Sequence, residues 1–515
     1  MKLRYISIAL AGMAIVSSCK KGSLDLLPEG SVTTRIYYKT TADFQLAVNG
    51  AYVPLRNIAE YGFFLDEMRS DNTHYEYNTK DRGGFGYEQL ADFLDDSQNG
   101  VTGMRWQAAY QGIARCNTVL SRLETITFTM ADADKKQFTG EAKALRAHYY
   151  FDLVRHFGKV PLVLKELLDE SQFGYQRAGV DEIYNQIIAD FTDALALLPA
   201  PKLPTSTRMN KAVVSSELAL VYMNLKKWDK AIPLLEDVTK NMGYDLVNNY
   251  RDIFDPNKKL NKEAIFEVQY KQGNEGHQSY FIYRFIPVMP TDGTANMIGI
   301  RYNNTNGGWN IPTQDLISQY EQNDKRLAAS IGIVEGKLNI NDEFLSDSVI
   351  TRDVRTYTTP AGSVSQRFVK KYFYPPYTLP GYNTGQNWPI FRLGGVLLML
   401  AEAYNENNQS SDALTPLNRV RDRAGLLPVS TTDQALLRAA ILKEQRLELA
   451  FENYRWLDLV RTGNAASVMT AYGNMMKTKY TYLPANAYNV TAKKYVYPVP
   501  FREMQLNPTW VQNDY

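Results

Sequence analysis

A chain of 515 residues with 44% apolar and 22% charged residues has the composition of a folded globular protein, which excludes wholesale disorder. Lys and Arg total 57 against 55 Asp and Glu, so bulk charge gives no grip on nucleic acid or another polyanion. Two cysteines exclude a disulfide framework and four histidines leave little for a His-rich metal site, while aromatics reach 12%, led by 35 Tyr.

The chain opens with basic Lys2 and Arg4, followed by an apolar stretch of 12 residues from Tyr5 to Val16, then Ser17-Ser18-Cys19. Such a stretch is shorter than the roughly 20 residues that span a bilayer, but it fits a signal h-region. Two small residues before a cysteine resemble the bacterial lipoprotein box, so residues 1–18 are expected to be a signal peptide and Cys19 the lipidated residue. Its removal would leave 55 basic against 55 acidic residues. Residues 20–40 are polar, contain Gly22, Pro28 and Gly30, and read as a tether. No later stretch approaches 18 consecutive apolar residues, which predicts a tethered rather than membrane-spanning body. Cys116 lies in an apolar, helix-like segment (Ala109 to Leu120) and is expected in the core.

Helical periodicity then dominates. Ile183, Ile187, Phe191, Ala194, Leu195 and Leu198 form one stripe, ending at Pro199. Three segments share an Ala-x-x-Tyr pair: Ala147/Tyr150, Ala219/Tyr222 and Ala401/Tyr404. In two of them a second Ala follows nine residues after the Tyr (Ala231, Ala413), across a polar break at Lys226-Lys227 or Asn407-Asn408. A small residue that lets helices approach, beside a Tyr that fills the gap, is the content of a tetratricopeptide-like hairpin. Phe266, Val268 and Tyr270 alternate with Glu267 and Gln269, a short strand signature. From Lys271 to about Pro389 the chain is rich in Gly, Asn, Thr, Pro and Tyr, with one clear helix from Gln314 to about Tyr320. Thr431 with Gln434 fits a capping box. Leu447, Ala450, Phe451, Tyr454 and Leu457 make a final stripe, flanked by Glu452/Arg455 and Arg455/Asp458 pairs at i,i+3.

Catalytic motifs are missing from the sequence: there is no His-Glu-x-x-His, no Walker A and no Gly-x-Ser-x-Gly. Gly83-Gly84-Phe85-Gly86 has no strand–turn–helix context, and Asp95-Asp96 reads as a solvated face. His74, His148, His156 and His277 are scattered, with His148 on an expected core helix. The chain is therefore read as a non-enzyme. What stands out is loop segments dense in aromatics and amides: Asp71 to Tyr87, Tyr302 to Asn310, and Tyr372 to Tyr382 with Trp388. Aromatic planes cover the C–H face of a sugar, while Asn, Asp and Arg meet its hydroxyls.

In order along the chain, Leu24-Asp25 with Pro28 and Gly30, YQGIARCN at 110–117, EAKALRAHYYFDLVRHFG at 141–158 and Pro312-Thr313-Gln314-Asp315-Leu316 resemble the SusD/RagB family of Bacteroidetes outer-membrane lipoproteins. So do LLMLAEAYNE at 397–406, LNRVRDRAGL at 417–426, KEQRLELAFENYRWLDLVRTG at 443–463, Pro498-Val499-Pro500 and Asn507-Pro508. The resemblance implies a mainly all-α SusD-like fold, with tetratricopeptide-like helix pairs supporting long irregular loops and a few short strands. It implies an N-terminal helical region at 41–260 and a C-terminal region at 261–515 that bears ligand loops. It further implies capture of oligosaccharide for a TonB-dependent SusC-like barrel, at the outer face of the outer membrane and without catalysis. Lys20-Lys21, however, stand where exported members often carry acids, leaving the face open. Ligand contacts are placed by region: Asn72, Tyr75, Tyr77, Arg82 and Tyr87 in the first loop, then Tyr283, Tyr302 and Trp309, with Trp309 foremost. No cofactor is expected; polar loops leave room for Ca2+, though without EF-hand spacing. Alternatives are capture of peptide, a lipid-anchored glycoside hydrolase with paired carboxylates, and a tetratricopeptide scaffold without a small ligand.

Overall fold

The computed structural model describes residues 38–77, 84–169, 173–203, 207–288, 307–340, 344–350, 354–375, 377 and 383–515. The expectations at Cys19, the tether up to residue 37, Arg82, Tyr302 and Tyr382 lie outside them. Thr40 starts α1 (Thr41–Tyr52) with a complete capping box shared with Asp43. α2 (Pro54–Gly62) runs into a π-helical turn, Phe63–Glu67, ahead of the two-residue strand β1 (Thr73–His74) and α3 (Phe85–Ala91). The long helices α4 (Gly100–Glu124) and α5 (Asp132–Phe157) pack on each other, on α1 and, for α4, on α2. β2 (Val160–Pro161) and β3 (Arg177–Ala178) pair, and α6 (Val180–Leu197) lies along α5. Its predicted stripe is buried at Ile183, Ile187, Phe191 and Ala194, and the helix ends before Pro199.

Next come α7 (Lys211–Asn224), α8 (Trp228–Asn241), β4 (Ala264–Val268) and α9 (Phe281–Phe285). β5 (Ile311–Pro312), α10 (Gln314–Gln319) and α11 (Lys325–Ser330) lead to a three-stranded antiparallel sheet of β6 (Ile331–Leu338), β7 (Phe344–Ile350) and β8 (Val364–Val369), with β6 central. β9 (Trp388–Arg392) pairs antiparallel with β4. α12 (Leu393–Glu406), α13 (Ser410–Ala424), α14 (Gln434–Glu448), α15 (Arg455–Arg461), α16 (Ala465–Lys479) and α17 (Phe501–Leu506) complete the chain. The fold is thus mainly helical with few short strands.

The α7–α8 and α12–α13 hairpins share one turn. Lys226 and Asn408, each four residues after the Tyr, adopt φ of 55° and 61°. In both, the next residue donates its N–H to the Tyr carbonyl, Lys227 to Tyr222 and Gln409 to Tyr404, each at 2.8 Å. Ala219, Ala231, Ala401 and Ala413 are fully buried, and α8 packs directly on α12. The small residues therefore set the helix spacing.

Two sequence expectations are corrected. The stripe at 447–457 is not one helix: α14 stops at Glu448, and Phe451 and Asn453 take positive φ. The Glu67 carboxylate accepts both of their N–H groups, at 2.8 and 3.1 Å, so a distant acceptor replaces helical bonding. Glu452 and Arg455 then face different partners, Lys371 with Arg392 and Asp71 respectively. The cap of α14 is Asp433, not Thr431. The expected strand forms as β4 and is buried along its whole length; Asn387 donates to Glu267 at 3.0 Å, and burial raises its pKa.

The C-terminal half closes over a buried ion network. Arg326, Lys371, Arg392, Arg421 and Arg423 interlock with Glu263, Asp324, Glu444, Glu448 and Glu452. Burial alone would raise the pKa of Glu448, but Arg423, Arg392 and Arg326 outweigh it and hold the carboxyl far below its ordinary range. Lys371, desolvated, is pushed down to about 8. Removing one member of such a set leaves uncompensated charge in a dry interior. Glu448→Gln is expected to lower unfolding stability by about 3–5 kcal/mol, measured by chemical denaturation; a change below about 0.5 kcal/mol, the range of ordinary surface substitutions, would contradict the network's role.

Candidate functional site

The described residues form a groove of about 700 Å3. Its walls come from four places distant in sequence: β1 and the residues after it, the β5–α10 junction, β6 with β8, and the end of α16 with the loop after it. Register fixes the first two, because β1 pairs antiparallel with β5 through Thr73↔Pro312 and His74↔Ile311. Side chains lock the same junction. Thr313 donates its N–H to the Asn72 carbonyl and its hydroxyl to the Asp71 carbonyl. Arg446 reaches Asn72 Oδ1 and Asp315, and Arg455 holds both oxygens of Asp71.

One wall is aromatic. Tyr77 and Tyr482 stack with centroids 3.6 Å apart and planes at 5°. Tyr480 adjoins Tyr482 at 5.4 Å and lies over His74 at 5.4 Å and 29°. The Tyr482 hydroxyl meets His74 Nε2 at 3.0 Å, and Tyr75 donates to Asp92 at 2.6 Å. The Tyr482 and Tyr75 rings are thus held by their polar tips, in a wall built largely of aromatic carbon. The other wall is polar. Arg367 donates to Gln314 Oε1 at 2.5 Å, and Gln366 donates to Glu76 at 2.6 Å. Burial raises the Glu76 carboxyl. Among the described residues no group of His, Cys, Asp and Glu has the arrangement of a metal site.

The sequence candidates separate. Tyr75 and Tyr77 line the groove. Asn72 lies beneath it, fully buried, spending its amide on Glu67 and Arg446. Tyr87 stacks on Phe64 at 3.9 Å, and Tyr283 is buried in the core. Trp309 is 9% exposed, edge-on to Phe64 and Tyr87, and a Cβ on Gly84 would come within 2.2 Å of its ring. Its place is a packed aromatic nest rather than the groove wall. Tyr372 and Trp388 of the third cluster stack on each other inside the core. Sequence reasoning missed Tyr480, Tyr482, Lys479, Gln366 and Arg367; the Tyr-Thr-Tyr of 480–482 was the available signal.

The motif residues have structural partners. In 141–158, Glu141 holds Tyr52 and Arg208, Arg146 holds Asp190, His148 meets Glu217, and Asp152 holds Arg105. Asp95 pairs with buried Arg69, and Cys116 is buried, its thiol pushed up to about 12.

Two outcomes follow. Trp309→Ala should lower unfolding stability by about 3–5 kcal/mol; an unchanged denaturation midpoint with altered ligand binding would instead place the ring in a binding wall. Burial and then Lys479 push the His74 imidazole from 6.5 down to about 3. Unfolding then takes up a proton, so the contribution is complete above pH 6.5 and is lost as pH falls toward 3. The stability difference between the native chain and His74→Gln should shrink across that window in pH-dependent denaturation, and a constant difference would refute it.

The chain matches the model of the SusD family over residues 262–515 and a model described as starch-binding, associating with outer membrane, over residues 24–223. SusD-like protein P38 of Formosa agariphila is 26% identical over 99% of this chain and 99% of its own. SusD-like protein P2 of the same organism is 28% identical over 84% and 86%. The solved structure of a laminarin binding SusD-like protein covers 92% of this chain and 99% of its own at 26% identity, with a TM-score of 0.73. With the N-terminal and C-terminal models matched in order and relatives aligned over nearly full length, this chain belongs to the SusD family.

Proposed function

We propose that the chain is a surface-displayed lipoprotein, anchored through Cys19, that captures an oligosaccharide in the groove and hands it to a TonB-dependent SusC-like barrel in the outer membrane. The observation that carries this reading is the groove itself, where the Tyr77–Tyr482–Tyr480 wall faces amide and guanidinium groups across about 700 Å3. Apolar planes opposite directed donors suit a ring that is hydrocarbon on its face and hydroxyl at its rim. A relative named for laminarin binding, 26% identical and alike in fold, supports a glycan as the ligand. Binding is the whole of the proposed activity, since transport energy would come from the barrel.

The test is a glycan and peptide array with the chain lacking residues 1–19. Tyr480→Ala should weaken the captured glycan about tenfold, the equivalent of about 1.4 kcal/mol, with the fold intact by circular dichroism. Undiminished affinity would move the site elsewhere. Binding of peptides alone would favour the peptide-capturing variant, and turnover of a bound oligosaccharide would favour a hydrolase.

A further inference from the structure

Resting on that capture reading, we infer that the groove takes an acidic oligosaccharide, one bearing carboxylate or sulfate groups. Two cations line the groove together with Tyr480. Arg367 projects from β8, half-buried, with the neutral Gln314 amide oxygen as its acceptor at 2.5 Å. Lys479 ends α16, exposed, its Nζ 4.8 Å from the Tyr480 centroid. Among the described residues neither is in an ion pair. The buried guanidiniums of Arg326, Arg392, Arg421 and Arg423, by contrast, all meet carboxylates.

Among the described residues that line the groove, Glu76 is the one carboxyl. Gln366 occupies one of its oxygens. The described lining therefore presents two cations to one carboxyl. A neutral glycan would leave both cations facing only hydroxyls. A uronate or sulfated ring lying on Tyr480 would place its anion at the ring's edge, within reach of a planar guanidinium fork and a mobile ammonium. Gln314 holds the guanidinium in position, so less is lost on ordering it.

The experiment is calorimetric titration of the chain lacking residues 1–19 with three probes: an oligogalacturonate, a carrageenan oligosaccharide carrying sulfate, and a neutral laminarioligosaccharide. The expected result is that an acidic probe binds at least about tenfold more tightly than the neutral one, with affinity falling as salt rises. Arg367→Gln and Lys479→Gln should each abolish most of that preference. Lys479 is exposed, so its variant keeps the test open where Arg367→Gln disturbs folding. Equal or tighter binding of the neutral probe, unmoved by either substitution, overturns the acidic ligand and leaves capture standing. Failure of all three probes to bind the folded chain counts against both.

Discussion

The C-terminal half is organised by charge that has nowhere to go. Five cations and five carboxylates are sealed together, and each has moved out of water at a cost that only its neighbours offset. The arrangement therefore tolerates little displacement. Arg392, at the end of β9, ties Glu263 near β4 to Glu448 and Glu452 at the end of α14. Arg326 brings α11 to the same point through Asp324, Glu444 and Glu448. Lys371 brings in the chain that leaves the β6–β8 sheet. One polar knot thus fixes where the helical hairpins meet the irregular stretch.

From that knot a second chain of contacts leads to the groove. Glu67 accepts N–H groups from the broken end of α14 and the Asn72 amide, and burial lifts its carboxyl to about 7. Asn72 in turn is gripped by Arg446 from within α14. The segment that carries Tyr75 and Tyr77 is therefore positioned by the same helix whose end closes the ion network. Asn72 supports the groove through its bonds to Glu67 and Arg446.

What the sequence made legible was local and periodic. The stripe at 183–198 and the Ala-x-x-Tyr hairpins depend on spacing within one helix, and the repeated polar break marked both turns. The β6–β8 sheet was not legible, because Gly332 and Gly336 interrupt its central strand and its partners are chosen by long-range pairing. The stop at Glu448 was invisible because apolar spacing continues across it; Glu67, hundreds of residues earlier, decides the matter. The candidate site was half legible for the same reason. Tyr75 and Tyr77 stand in a conspicuous aromatic loop, whereas Tyr480 and Tyr482 follow an ordinary helix and join them only through the fold. Trp309 was conspicuous for composition, yet its ring packs among Phe64, Tyr75 and Tyr87.

The direct packing of α8 on α12 has a consequence for how such a chain diversifies. Two hairpins with the same turn are neighbours in space although residues 242–392 separate them, so the intervening chain is an excursion from a continuous helical stack. Much of the groove, including β5, β8 and Arg367, is housed in that excursion. Its two ends are brought together by helices that make their own contact, so loop closure adds little further cost as its length grows. Half of the buried ion network, Glu263, Asp324, Arg326, Lys371 and Arg392, also lies in the excursion, so its loops can change length only where those side chains keep their places. The groove thus joins an aromatic wall outside the excursion to a polar wall within it, and the buried charges bound how far that polar wall can change.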